Sequence, residues 1–261
     1  MTPPPARVLT ASALTVGVLL ASAACSALTS PPTAERPDLT ATTTSAAPPE
    51  KGRSPGASPA LTPAQAQAAL ITDTDLGEAW TPTQGAATWH DVVLKATTDR
   101  PDCRRLLDTL YAEEPFGADA RPRAVLVLDE EWNQTQLRQQ VVARPAADVD
   151  RTLAWLRTLP KRCARFTAKT GSGAHEVEVT EATLPRVGDN RQGLRLVVSG
   201  ETADGEPASF TLDVAAVRVG DDAMALTYGG FGEVYPEVTQ AVVQLAAQRL
   251  TEVRKQGRVE V

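Results

Sequence analysis

From residue 62 onward, the apolar positions fall into runs whose spacing changes from helical to alternating and back to helical. Thr62-Pro63-Ala64-Gln65 opens the first run. Thr62 suits an N-cap, Pro63 the first helical position, and Gln65 closes a capping box. A short helix is expected through Leu70. Gly77 then breaks the pattern, and Trp80 is an expected core anchor. Val92, Val93 and Leu94 read as a short strand. Leu106, Leu107 and Leu110 mark the apolar face of a helix that starts at Pro101. After a turn region over 117–122, Ala124, Leu126 and Leu128 alternate in a strand over 123–130. A second strand over 134–143 follows closely enough to make a hairpin. Residues 145–159 return to helical spacing, with Val149, Leu153, Trp155 and Leu156 inward. Lys161 and Arg162 lie beyond that helix and suit its negative end.

Period two takes over at Glu176. Val177 and Val179 share one face, then Leu194, Leu196 and Val198 after a Gly188-Asp189-Asn190 turn. Phe210, Leu212 and Val214 alternate in one phase and Val217 and Val219 in the other, which predicts a bulge near Ala215. Met224, Leu226 and Tyr228 form the last strand. Pro236 opens a final helix with Val238, Val242, Leu245, Ala246, Leu250 and Val253 at helical spacing. Helices come early and late, and the long strand run lies together. That order predicts an α+β fold, a single domain with an antiparallel sheet flanked by helices.

The stretch before residue 61 does not follow either period. Met1 to Arg7 carries one positive side chain, and a mostly apolar run of Val, Leu and Ala extends to Ala24. Small Ser22, Ala23 and Ala24 then precede Cys25. This layout is that of a bacterial lipoprotein signal, with residues 1–24 removed and a diacylglyceryl group on Cys25. Plain secretion is the alternative. A membrane-spanning helix needs about 20 consecutive apolar residues, and this run is interrupted by Thr10, Ser12, Thr15 and Ser22. Residues 25–60 are rich in Pro, Ser, Thr and Ala and poor in large apolar side chains, so they are expected to form a disordered tether. Its root-mean-square span as a flexible chain is roughly 30–35 Å. The folded domain is then residues 61–261, on the outer face of the cytoplasmic membrane.

The cysteine count agrees with that anchor. The chain has three, Cys25, Cys103 and Cys163. Lipid on Cys25 leaves an even pair in a compartment where disulfides persist. Cys103 and Cys163 are expected to be bridged, with two buried thiols as the alternative. The net charge is −6, and the first 60 residues contribute four basic against three acidic side chains. The domain is therefore acidic, which disfavours a phosphate backbone as partner. No nucleic-acid partner is expected, and a monomer is.

Chemistry-bearing clusters are few. Ser172 and His175 are close in sequence, but no orienting acid or oxyanion loop accompanies them. Two His in all, His90 and His175, do not supply the three or four ligands that zinc needs. Asp189-Asn190 offers too few oxygens for calcium. No metal and no cofactor are expected. Asp129, Glu130 and Glu131 form the densest acidic run, which supports an alternative reading as a cell-envelope hydrolase using paired carboxylates. A solvated turn is the plainer reading. Tyr228-Gly229-Gly230-Phe231-Gly232-Glu233-Val234-Tyr235 combines three Gly with three aromatics. It reads either as a permissive turn with its rings packed on the sheet, or as a mobile loop whose Tyr228, Phe231 and Tyr235 border a ligand.

Four features recur in order: Asp75-Leu76-Gly77-Glu78-Ala79-Trp80, Cys103 before Leu106-Leu107, Cys163 after an amphipathic helix, and Arg186-Val187-Gly188-Asp189. Further strands, Arg218-Val219-Gly220-Asp221 and a terminal helix complete the order. Over residues 60–257 this resembles the extracellular sensor-domain family of mycobacterial serine/threonine kinases and related lipoproteins. The resemblance implies an antiparallel sheet flanked by helices, an open cleft, and a ligand that the family does not define. Kinase-attached members carry four Cys in two bridges, where this chain has one pair. Taken together, the sequence reads as a membrane-anchored surface lipoprotein with a non-catalytic ligand-binding or sensor domain. Its expected ligand is a small molecule, a lipid or a cell-wall fragment.

Overall fold

A computed structural model of the chain describes residues 61–83, 87, 89–120, 123–202 and 204–259. The signal, Cys25 and the tether lie outside the described residues. Two short helices come first, α1 (Pro63–Ala68) and α2 (Asp73–Leu76), then strand β1 (Trp80–Pro82) and a single π-helical turn over His90–Leu94. Helix α3 (Pro101–Tyr111) leads to the hairpin β2 (Arg123–Glu130) and β3 (Thr135–Ala143), and α4 (Ala146–Arg162) follows. Five strands then run in sequence: β4 (Arg165–Thr170), β5 (Gly173–Glu181), β6 (Asn190–Glu201), β7 (Pro207–Val219) and β8 (Asp222–Gly230). Helix α5 (Pro236–Val259) closes the chain. All eight strands join in one antiparallel sheet of order β1-β2-β3-β8-β7-β6-β5-β4. The α+β class, the antiparallel sheet and the flanking helices are as the periodicity predicts.

Helices cover both faces of this sheet, and that explains the phase change in β7. Its register runs unbroken against β6 and β8, with no bulge at Ala215. Phe210, Leu212, Val214 and Ala216 point into the core under α3 and α4. Ala215, Val217 and Val219 point into the core under α5 and α1. A strand buried on both faces reads as near-continuous apolar sequence, not as an alternation. The apparent flip is two buried faces overlapping in one strand.

Three other expectations change. Residues 92–94 form the π-turn and not a strand, with Val93 and Leu94 buried and Val92 exposed. Lys161 and Arg162 belong to the last turn of α4 and do not lie beyond it. Strand β4 lies between α4 and the first strand expected from Glu176, pairs with the early part of β5, and forms the far edge of the sheet.

Particular side chains fasten the layers. Thr62 and Gln65 complete the capping box of α1. Gln139, fully buried in β3, accepts from Ile71 N at 2.9 Å and donates to Ala69 O, docking the end of α1 on the sheet. Helix α5, about 36 Å long at 1.5 Å per residue, is tied down by Arg254 on the buried carboxylate of Asp222. Arg195 makes a two-pronged contact to Asp213 at 2.6 and 2.8 Å, and Thr239 of α5 donates to the same carboxylate at 2.7 Å. A disulfide joins Cys103 near the start of α3 to Cys163 just after α4. The two Arg-Val-Gly-Asp segments pack on one another: Asp189 N donates to Arg218 O, and Gly220 N donates to the Asp189 carboxylate at 2.6 Å. Their role is structural. Asn190 is engaged too, donating to Asp150.

Candidate functional site

Helix α4 covers β5, β6 and β7 on one face of the sheet. Toward β8 and β3 the cover changes to the end of α3 and the π-turn, and a cleft opens beneath them. Its floor is Leu212 and Val214 of β7 and Ala225 and Thr227 of β8, and its roof includes Trp89, Leu94 and Leu110. One wall is polar. Gln136, Arg138 and Gln140 occupy alternate positions of β3, so strand geometry sends all three side chains to this face. The free space is narrow, ≈ 30 Å³.

Arg138 is the centre of that wall. Its side chain is 18% exposed and forms an ion pair with Glu113 at 3.0 Å. Burial pulls the guanidinium below its ordinary basicity, Glu113 works against that, and nearby Arg123 adds to it. His90 Nε2 lies 3.7 Å from the other oxygen of Glu113, and its ring stacks on Tyr111 at 5.0 Å. Gln140 donates to the backbone oxygen of Glu113 at 3.1 Å.

Glu113 is held in an unusual conformation. It follows the C-cap Ala112 of α3, where its N–H bonds to Leu110 O while Glu114 N bonds to Thr109 O. That pattern is a Schellman motif, and its left-handed position usually takes Gly. Glu113 adopts it with φ 54°, at a cost of about 1–2 kcal/mol for a residue with a Cβ. The side chain in return reaches Arg138 and His90.

A second cavity adjoins the cleft on the same sheet face. It has ≈ 220 Å³ of free space and is lined mainly by apolar groups, among them Val93, Val198, Ala208, Phe210 and Phe231. Its volume exceeds that of a 150 Å³ apolar cavity that admits benzene. Trp89 packs on Phe210 at 4.8 Å between the two spaces. The π-turn lies over both, with His90 and Leu94 at the cleft and Val92 and Val93 at the cavity.

The aromatic stretch at residues 228–235 divides in this structure. Tyr228 is fully buried within β8 on the opposite face of the sheet, 5.8 Å from the Trp80 ring, and is a core residue. Phe231 is 47% exposed, touches Phe210 edge-on at 5.6 Å and lines the second cavity. Tyr235 is 42% exposed and donates to Glu233, away from both spaces. The glycines answer to close packing and not to a mobile loop. Gly229 and Gly230 belong to β8, and a Cβ on Gly229 would sit 2.6 Å from Thr211 O. A Cβ on Gly230 or Gly232 would collide with the carbonyl of Gln134 or Asn133.

The acidic run does not form a facing pair. Asp129 and Glu130 are consecutive in β2 and project to opposite faces. Gln136 donates to Asp129 at 2.7 Å, Asn133 and Thr135 donate to Glu130, and Glu131 is exposed in the turn. Ser172 and His175 do come together, 3.2 Å apart, but His175 Nε2 is also 3.0 Å from Thr170. No carboxylate is paired with His175 among the described residues.

Trp89, Glu113, Gln136, Arg138 and Gln140 were not singled out from the sequence, and His90 was set aside as isolated. One signal was present. Gln136-x-Arg138-x-Gln140 places polar groups at alternate positions of a strand whose flanking apolar content marks it as interior.

No family model matches the chain, and no curated protein matches it in sequence. Among solved structures, the chain is similar to the extracellular domain of PknH from Mycobacterium tuberculosis, with a TM-score of 0.46 and 15% identity over 76% of this chain and 99% of that one. It is also similar to a STAR-related lipid transfer protein from Xanthomonas axonopodis, with a TM-score of 0.19 and 14% identity over 54% of this chain and 97% of that one.

Proposed function

We propose that this chain is a cell-surface lipoprotein, anchored through Cys25 and tethered by residues 25–60, whose domain binds a small, mainly apolar ligand without chemical conversion. One observation carries the reading: two adjoining spaces on one sheet face, apolar on floor and roof, with a few polar groups gathered on one wall. That is the usual make-up of a small-molecule site, where apolar surface supplies affinity and a few polar groups fix orientation. Phe231 borders the larger space, as a ligand contact should. Tyr228 and Tyr235 have no part in it.

The hydrolase alternative loses its motivating pair, because Asp129 and Glu130 do not share a groove. The anchor rests on the signal layout and the odd cysteine. A lipidic or wall-derived ligand suits a domain held at that surface. Native mass spectrometry of the exported chain, purified from the organism that makes it, tests the binding reading. A bound species of defined mass, released on denaturation, is the expected result. A bare protein mass in every preparation contradicts it.

A further inference from the structure

The polar wall identifies the ligand's head. Arg138 is held in the middle of β3, with Val127 and Thr227 as its strand neighbours. On the cleft face it stands between Gln136 and Gln140, beside the apolar floor of Val214 and Ala225. Its ion-pair partner, Glu113, enters from the roof, on the turn that ends α3, with a side chain 35% exposed. The Arg138 Nε is buried and has no hydrogen-bond partner among the described residues. The guanidinium is a fork of donors suited to a two-pronged carboxylate contact, and part of that fork is unused. Glu113 shows that a carboxylate fits against it.

We propose that Arg138 reads the carboxylate of an apolar acid whose tail lies along the floor toward Phe210, and that Glu113 is the resident competitor for the same guanidinium. This rests on the binding reading above and adds the class of ligand. Exchanging one carboxylate for another leaves the charge of the cleft unchanged. A ligand that accepts from both Nη2 and Nε satisfies the donor that Glu113 leaves unpaired. Glu113 has an exposed edge through which to swing out, and His90, 3.7 Å away, faces the same exchange. The conformation at Glu113 fits this role, since glycine would suit the turn better but would remove the carboxylate that pairs with Arg138.

The test is fluorescence titration of the full chain with an 18-carbon conjugated polyene fatty acid, and with its methyl ester, whose emission rises in apolar surroundings. Wild type is expected to bind the acid about tenfold tighter than the ester. Arg138→Gln should remove that preference. Glu113→Gln should tighten the acid by about tenfold and the ester by less, because the competitor no longer carries charge. Arg138→Lys keeps the charge but not the fork; it should retain only part of the preference, and it substitutes for Arg138→Gln if that variant does not fold. Equal binding of acid and ester in wild type and in Glu113→Gln overturns this inference and leaves the binding reading standing. Failure of both probes to bind any of these proteins overturns this inference, and the native mass of the exported chain then decides the binding reading. Unchanged acid affinity in Glu113→Gln, with a lowered thermal midpoint, makes Glu113 a latch and overturns its role as competitor.

Discussion

The disulfide gives the most quantitative prediction. Replacing both Cys103 and Cys163 by Ala removes a crosslink between residues 60 apart in sequence. In the chain-entropy model, releasing a loop of that size frees the unfolded chain by roughly 4 kcal/mol. Both cysteines are fully buried, so lost sulfur packing adds to that figure and does not offset it. For a domain of this size, each 1 kcal/mol shifts the thermal midpoint by about 2–4 °C, so a drop of roughly 8–16 °C is expected. Differential scanning calorimetry of the oxidised wild type and the double variant measures it. The bridge joins the two helices that roof the same core, so ligand binding should weaken along with stability. A drop under about 2 °C would refute the reasoning, as would two titratable thiols in the oxidised, unfolded wild type.

Four further outcomes are expected, three from the structure and one from the signal layout. Tyr228→Ala should cost about 3–5 kcal/mol of stability in denaturant titration, as truncation of a buried aromatic does, whereas Phe231→Ala should cost far less and weaken ligand binding. The carboxyl of Asp150 is held below its ordinary range by the hydrogen bond from Asn190, with burial opposing and Arg218 assisting. Its contribution is therefore full above the ordinary carboxylate range and is lost as the pH falls through the lowered value. Asp150→Asn should flatten the stability curve below about pH 4 and leave its neutral limb parallel to that of wild type. Cys25→Ala should abolish incorporation of a fatty-acid probe in metabolic labelling, and absence of label in wild type would remove the anchor. Arg254→Met should cost about 3–5 kcal/mol in the same denaturant assay, because it strands the buried charge of Asp222.

The elements were largely legible because local signals and burial agree. The capping box at Thr62 and Gln65, the helical spacing of apolar positions in α5 and the hairpin of β2 and β3 are local patterns that tertiary structure kept. Where the reading failed, a second layer had intervened. β7 is apolar on both faces because α5 covers what the alternation assigned to solvent, and the resulting phase change imitated a bulge. The turn at residues 90–94 has strand-like composition, but Trp89, Val93 and Leu94 are drawn onto the sheet and wind it into a π-turn. The Gly-rich run suggested mobility, since sequence does not reveal that Asn133 and Gln134 press on its backbone. The cleft was the least legible part. Trp89, Glu113, Arg138 and Val214 come from separate parts of the chain, and only the β3-β8-β7 order of the sheet beneath the π-turn and the end of α3 sets them side by side.

The central claim, that the cleft holds a ligand, is tested most directly by blocking it. Thr227 is half-buried on the cleft floor beside Arg138, and Thr227→Met, with its flexible side chain, should fill the narrow space while leaving both helical layers in place. Native mass spectra of wild type and Thr227→Met, purified in parallel from the organism that makes the protein, should show a bound species in the first and a bare chain in the second, with both proteins folded. The same bound species at equal occupancy in Thr227→Met, or none in either, would contradict the account.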